Sequence, residues 1–224
     1  MYGFSTGAKS VSVFPGAGPN APAIYLNAAA GEEQKVYEAA LAAGCRTFTL
    51  VAISNLDWDH ELAPWDSPPA FKNGDPFTGG ADEYLRQLVE VILPRAEKDL
   101  AGPPAWRGIA GYSLAGLFAL YAVYRTDVFS RVGSVSGSLW FPGLKEYILT
   151  HQPKRRPDCV YFSLGDQESK TRNPVLKNVR QDTEEICEHY RTMGIDTAFQ
   201  VNPGNHFYHP MERTAAGITW LLGR

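Results

Sequence analysis

The sequence predicts an α/β domain with a mostly parallel central sheet and helices on both of its faces. Three observations carry that expectation. Short apolar or β-branched runs alternate with longer amphipathic ones, the pattern of strands joined by crossover helices. No internal repeat and no divisive linker interrupts the 224 residues, so they read as one domain, 1–224. Polar residues fit for chemistry fall just past predicted strands, at Ser113, at Gly165 to Ser169 and at His206. That is the end of a parallel sheet at which ligands bind.

The elements follow in order. Met1 to Ser10 is polar and glycine-rich, and Val11 to Phe14 alternates like an opening edge strand. Ala23 to Leu26 is an apolar run read as a buried strand, followed by a loop of small residues, Asn27 to Gly31. A helix is expected from Glu32 to about Ala43, closed by Gly44, and a strand from Phe48 to Ile53. Ser54 to Gly80 is a long loop carrying Trp58, Trp65, Phe71 and Phe77 among prolines and acids. A loop of that length inside a compact domain suits a substrate wall or lid, or an Ω loop packed by its own aromatics.

Asp82 to about Leu100 has helical spacing, which Pro94 should kink or end. Gly108 to Leu117 reads as strand, sharp turn and helix, with Ser113 at the apex. Arg131 to Ser136 is a strand and Pro142 to Thr150 a short helix. Cys159 to Leu164 is a strand ending at Gly165, and Val175 to Met193 an amphipathic helix closed by Gly194. Ala198 to Val201 is the last strand, Asn202 to His206 a tight loop, and His209 to Leu222 the last helix.

Composition excludes several classes. At 44% hydrophobic and 20% charged, with net charge −3, the chain is an ordinary globular one with no basic stripe for nucleic acid. Lys154, Arg155 and Arg156 form a short solvated cluster. Cys45, Cys159 and Cys187 are odd in number and lack metal-ligand spacing, which suits buried thiols in a reducing compartment. No signal-peptide pattern and no membrane-length apolar run is present, so the expectation is a cytoplasmic protein without membrane contact. No metal and no cofactor is expected. A homo-oligomer stays open.

The chemistry is carried by spacing. Gly111-Tyr112-Ser113-Leu114-Ala115 is the nucleophile-elbow pattern G-x-S-x-G with alanine in the last place. A serine hydroxyl needs a base to take its proton, and an imidazole needs a carboxylate to orient it. The chain supplies Ser113, then Asp166 and Glu168, then His206, the order of the α/β-hydrolase fold. His206 sits on the loop tip after the last strand and is preferred to His209 as base. Glu168 is preferred to Asp166 as acid, and a Ser–His dyad stays open. The backbone N–H of Leu114, with that of Asn27 or Ala28, would bind the oxyanion. Tyr112, Trp58, Trp65 and Trp140 are the candidate substrate-facing aromatics.

Several runs together resemble the Putative esterase family. They are Gly-Tyr-Ser-Leu-Ala-Gly-Leu around Ser113, Leu56 to Pro64 leading to Phe77 to Asp82, Leu93-Pro94, Phe162 to Glu168, and Pro203 to His206. That family groups esterase D, enterobactin-type siderophore esterases, feruloyl esterases and mycolyltransferases. The resemblance runs from about Ala23 to the end and implies an α/β-hydrolase fold with a serine nucleophile. It places the acid three residues after the loop glycine, on Glu168. Asn27-Ala28 stands where the family usually has His-Gly or Asp-Gly. The expected activity is cleavage of a small-molecule carboxylic ester through an acyl-enzyme on Ser113. An acyltransferase with the same nucleophile, or a catalytically silent binding module, is the alternative.

Overall fold

The computed structural model describes residues 1–45 and 47–224. Ten strands and eight α-helices are described. β1 (Tyr2–Thr6), β2 (Lys9–Phe14), β3 (Ala23–Asn27) and β4 (Thr49–Ser54) come first, with α1 (Glu33–Ala42) between β3 and β4. α2 (Trp58–Glu61), β5 (Asp66–Ser67) and β6 (Phe77–Thr78) lie in the long loop. α3 (Ala81–Gln87) and α4 (Leu93–Glu97) precede β7 (Arg107–Tyr112), α5 (Leu114–Arg125) and β8 (Arg131–Val135). α6 (Leu144–Thr150), β9 (Cys159–Gly165), α7 (Val179–Thr192), β10 (Asp196–Asn202) and α8 (Pro210–Leu222) complete the chain.

Eight strands form one sheet in the order β1-β2-β4-β3-β7-β8-β9-β10. From β4 to β10 every pairing is parallel, and β1 and β2 are antiparallel additions. The expected α/β-hydrolase architecture is therefore present. Every residue of β3 and of β9 is buried, as strands covered on both faces require. One face packs against α1 and α8 through Val36, Ala40, Ile218 and Leu221. The other packs against α5 and α7 through Phe118, Leu120, Ile186 and Tyr190. Every residue of α5 from Leu114 to Tyr124 is buried, so this apolar helix lies between the sheet and an outer layer.

Two expectations need correction. β2 is not the edge strand, because Tyr2–Thr6 pairs outside it through a hairpin turning at Gly7, whose φ is +58°. Pro94 does not end its helix. A π-helical stretch over Leu88–Ile92 joins α3 to α4 and widens the backbone before Pro94, whose ring would otherwise press on the preceding turn.

Loop 54–80 is more ordered than its prolines suggest. β5 and β6 pair antiparallel and close its base. Leu62, Ala63 and Phe77 bury into the main core. Trp65 packs edge-on to Tyr121 and Phe141 and donates its indole N–H to the Pro142 carbonyl at 2.9 Å.

Candidate active site

Ser113 stands between β7 and α5 with φ +59° and ψ −124°, a strained conformation for any side-chain-bearing residue. The turn is pinned on both sides. Ser113 N–H donates to the Val135 carbonyl at 3.1 Å, and its own carbonyl accepts from Ser138 N–H at 3.0 Å. A Cβ on Gly111 would lie 2.5 Å from the backbone of Ala115, so strand and helix can cross here only over a glycine. The Ala115 methyl fits because Gly111 has none.

His206 Nε2 lies 3.1 Å from Ser113 Oγ, and His206 Nδ1 lies 2.7 Å from Glu168 Oε2. An ionised carboxylate only accepts, so Nδ1 carries the proton and Nε2 is free to accept from the serine. The Glu168 side chain is 5% exposed and that of His206 30%. Glu168 Oε1 accepts from Gly165 N–H at 2.6 Å and from Ser136 Oγ at 2.9 Å. Asp166 turns away, accepting the Gly204 N–H at 2.8 Å, and that bond holds its carboxyl below the usual range. His209 is exposed at the start of α8, 3.6 Å from Glu212 and outside this cluster.

Leu114 opens α5, so its N–H has no intrahelical acceptor and stays available beside the serine. Strand pairing runs one residue further than expected on the other side. Ala28 N–H donates to the Ile53 carbonyl at 3.0 Å and is not a free donor. Asn27 is buried in the ladder between Gly111 and Ile53, with its Oδ1 accepting from Tyr84 OH at 2.5 Å. The next N–H along the loop is that of Ala29.

A cavity of about 330 Å³ opens beside Ser113 and His206. Its apolar wall is Phe71, Trp140, Leu176, Val179 and Phe207. Of the expected substrate-facing aromatics, only Trp140 lines it. Trp65 is committed to the aromatic cluster, and Trp58 packs on the core from α2. Tyr112 lies behind His206, donating its OH to the His206 carbonyl at 2.6 Å. Its burial raises the phenol pKa and keeps it neutral. Sequence spacing missed Leu176, Val179 and Phe207, which carry no motif. Ser138 was also missed, and its Oγ lies 3.3 Å from Ser113 Oγ. Asn173 ties the long loop down, donating from Nδ2 to the Ala70 carbonyl at 2.7 Å beside Phe71. No helix is long and apolar enough to cross a membrane among the described residues.

Comparison with known proteins follows the same lines. A family model described as Putative esterase matches residues 17–212. The Bacillus subtilis (strain 168) protein "Uncharacterized protein YbbA" is 25% identical over 175 residues, 73% of this chain and 69% of that one. The siderophore hydrolase EstA from Aspergillus nidulans superposes with a TM-score of 0.74 at 17% identity, over 99% of this chain and 93% of that one. An IroE-like serine hydrolase from Shewanella oneidensis gives 0.76 at 16% identity, over 95% and 75%. Structural likeness at such identities shows a shared fold.

Proposed function

We propose that this chain, which belongs to the Putative esterase family, hydrolyses esters with Ser113, His206 and Glu168 as nucleophile, base and orienting acid. The observation that carries this is the relay of 3.1 and 2.7 Å across three separate loops. His206 takes the Ser113 proton as Oγ attacks the ester carbonyl, and Glu168 stabilises the imidazolium that forms. The N–H of Leu114, free at the start of α5, holds the oxyanion. His206 returns the proton to the leaving alcohol. Water, deprotonated by the same imidazole, then releases the acid.

The cavity supports a compact, uncharged apolar or aromatic acyl group. Its lining offers aromatic and aliphatic surface and no lysine or arginine, so an anionic acyl group would lose its hydration with no cation in the lining to pair it. The siderophore hydrolases among the structural neighbours share the fold, and the lining favours a neutral ester here. Three free thiols, two of them buried, support a reducing, cytoplasmic setting.

The test is hydrolysis of a panel of p-nitrophenyl esters by the parent and Ser113→Ala. Ser113→Ala is expected to lose at least about 10⁴-fold in kcat with its circular dichroism unchanged. A fluorophosphonate should label the parent at Ser113. Equal activity in both proteins would remove Ser113 as nucleophile.

A further inference from the structure

Arg213, on α8, is a buried cation at the site that the reaction steps above do not use. The residue is 4% exposed. Its Nη1 lies 3.2 Å from Glu168 Oε1, 3.2 Å from Tyr112 OH and 3.3 Å from Ser136 Oγ. Its Nη2 donates to the Pro203 carbonyl at 2.7 Å. These partners belong to each arm of the relay. Tyr112 immediately precedes the nucleophile, and its OH passes on to the His206 carbonyl. Ser136 Oγ accepts from the guanidinium and donates to Glu168 Oε1. Pro203 lies on the loop that carries His206.

We propose that Arg213 is a positioning residue that holds Glu168, and through Glu168 the His206 imidazole, in register with Ser113. This rests on the assignment of the three catalytic residues above. A carboxylate buried as deeply as Glu168 is costly unless paired and hydrogen-bonded. The guanidinium supplies the charge. Its rigid planar fork also helps saturate Oε1, which leaves Oε2 turned to the imidazole. A Cβ on Gly165 would come within 2.9 Å of Glu168 Oε1 and 3.1 Å of Arg213 Nη1, so the loop backbone is packed directly on the pair. Arg213 does not line the cavity and acts only through its neighbours.

The test is a double-mutant cycle of Arg213→Gln, Glu168→Gln and both together, with kcat and KM measured on one p-nitrophenyl ester. Arg213→Gln is expected to lower kcat by about 10- to 100-fold, the effect of a displaced catalytic group. KM should stay within about two-fold, because no substrate contact is lost. In the Glu168→Gln background the second change should cost less than about two-fold, since no carboxylate is left to orient. Losses that multiply would overturn the proposal and make Arg213 a general prop of the fold. If Arg213→Gln alone does not fold, because Glu168 is left buried and unpaired, the double variant decides. Turnover equal to Glu168→Gln supports the proposal, and a further ten-fold loss overturns it. A Glu168→Gln enzyme as fast as the parent would instead overturn the acid assignment itself, and the proposal with it.

Discussion

Asp166 and Glu168 are two residues apart, yet only one of them reaches the imidazole. Glu168 turns inward to His206, Ser136 and Gly165, while Asp166 closes the neighbouring loop through Gly204 N–H. Glu168→Gln is expected to lower kcat by at least about 10²-fold, because the imidazole loses both its anion and its fixed tautomer. Asp166→Asn should leave kcat within about three-fold on the same ester. Asp166 also titrates below its ordinary range. Its contribution to stability is therefore present above the unfolded carboxylate value and lost as pH falls through the lowered one. Reversal of these two kinetic results would exchange the roles. The sequence placed both carboxylates in the loop that reaches His206, since spacing after a strand predicts loop position. It left their directions open, because direction depends on Ser136 and Arg213, which are distant in sequence. The tryptophans show the same limit. Their presence in loop 54–80 was legible, but Trp65 faces Tyr121 and Phe141 rather than the cavity.

At the scale of elements, loop 54–80 divides into a fixed base and a tip. The base is held by β5, β6 and Trp65, and the tip brings Phe71 to the cavity beneath the Asn173 bond. Trp65→Ala should therefore act on stability. A loss of about 3 kcal/mol is expected from removing a large packed aromatic side chain, read as a lowered urea midpoint. KM for a short ester should be unchanged. A raised KM with full stability would restore Trp65 to the substrate wall. The helix across Pro94 was misread for a physical reason. A proline is incompatible with an ordinary α-helical interior, and the π-helical relief comes from five preceding residues with no signature of their own.

For the molecule as a whole, alternating short and long runs made the parallel core readable. The outer hairpin was not, because Tyr2–Thr6 is a five-residue strand with no fully buried residue, and its partner strand comes later in the chain. The core also buries many ionisable groups in their neutral forms. Burial pushes Tyr124 and Tyr161 up to about 12 and the Cys159 thiol to about 11. It also raises Tyr25, Tyr84 and Tyr190. A folded-state value above the unfolded one favours folding while the unfolded group is still protonated. That favour is lost as pH rises from the unfolded value through the folded one. Thermal midpoints should thus fall steadily above about pH 9, where unfolded thiols and then phenols begin to ionise. A flat midpoint from pH 8 to 11 would contradict these burials. Cys159 and Cys187 should likewise resist alkylation at pH 8 in the folded protein, as mass spectrometry would report.

The crossing of β7 and α5 bears on how such chains are found at all. A methyl at Gly111 would strike the backbone carbon and oxygen of Ala115 at 2.5 Å, a collision that no choice of side chain at 115 removes. The methyl that residue 115 carries is buried and accommodated, opposite a residue 111 that carries none. The two small letters of the elbow signature therefore differ in information content. At the first, backbone excludes everything but glycine, and at the second this chain holds alanine. A search string demanding glycine at both would pass over this chain, although its Ser113 Oγ lies 3.1 Å from His206 Nε2.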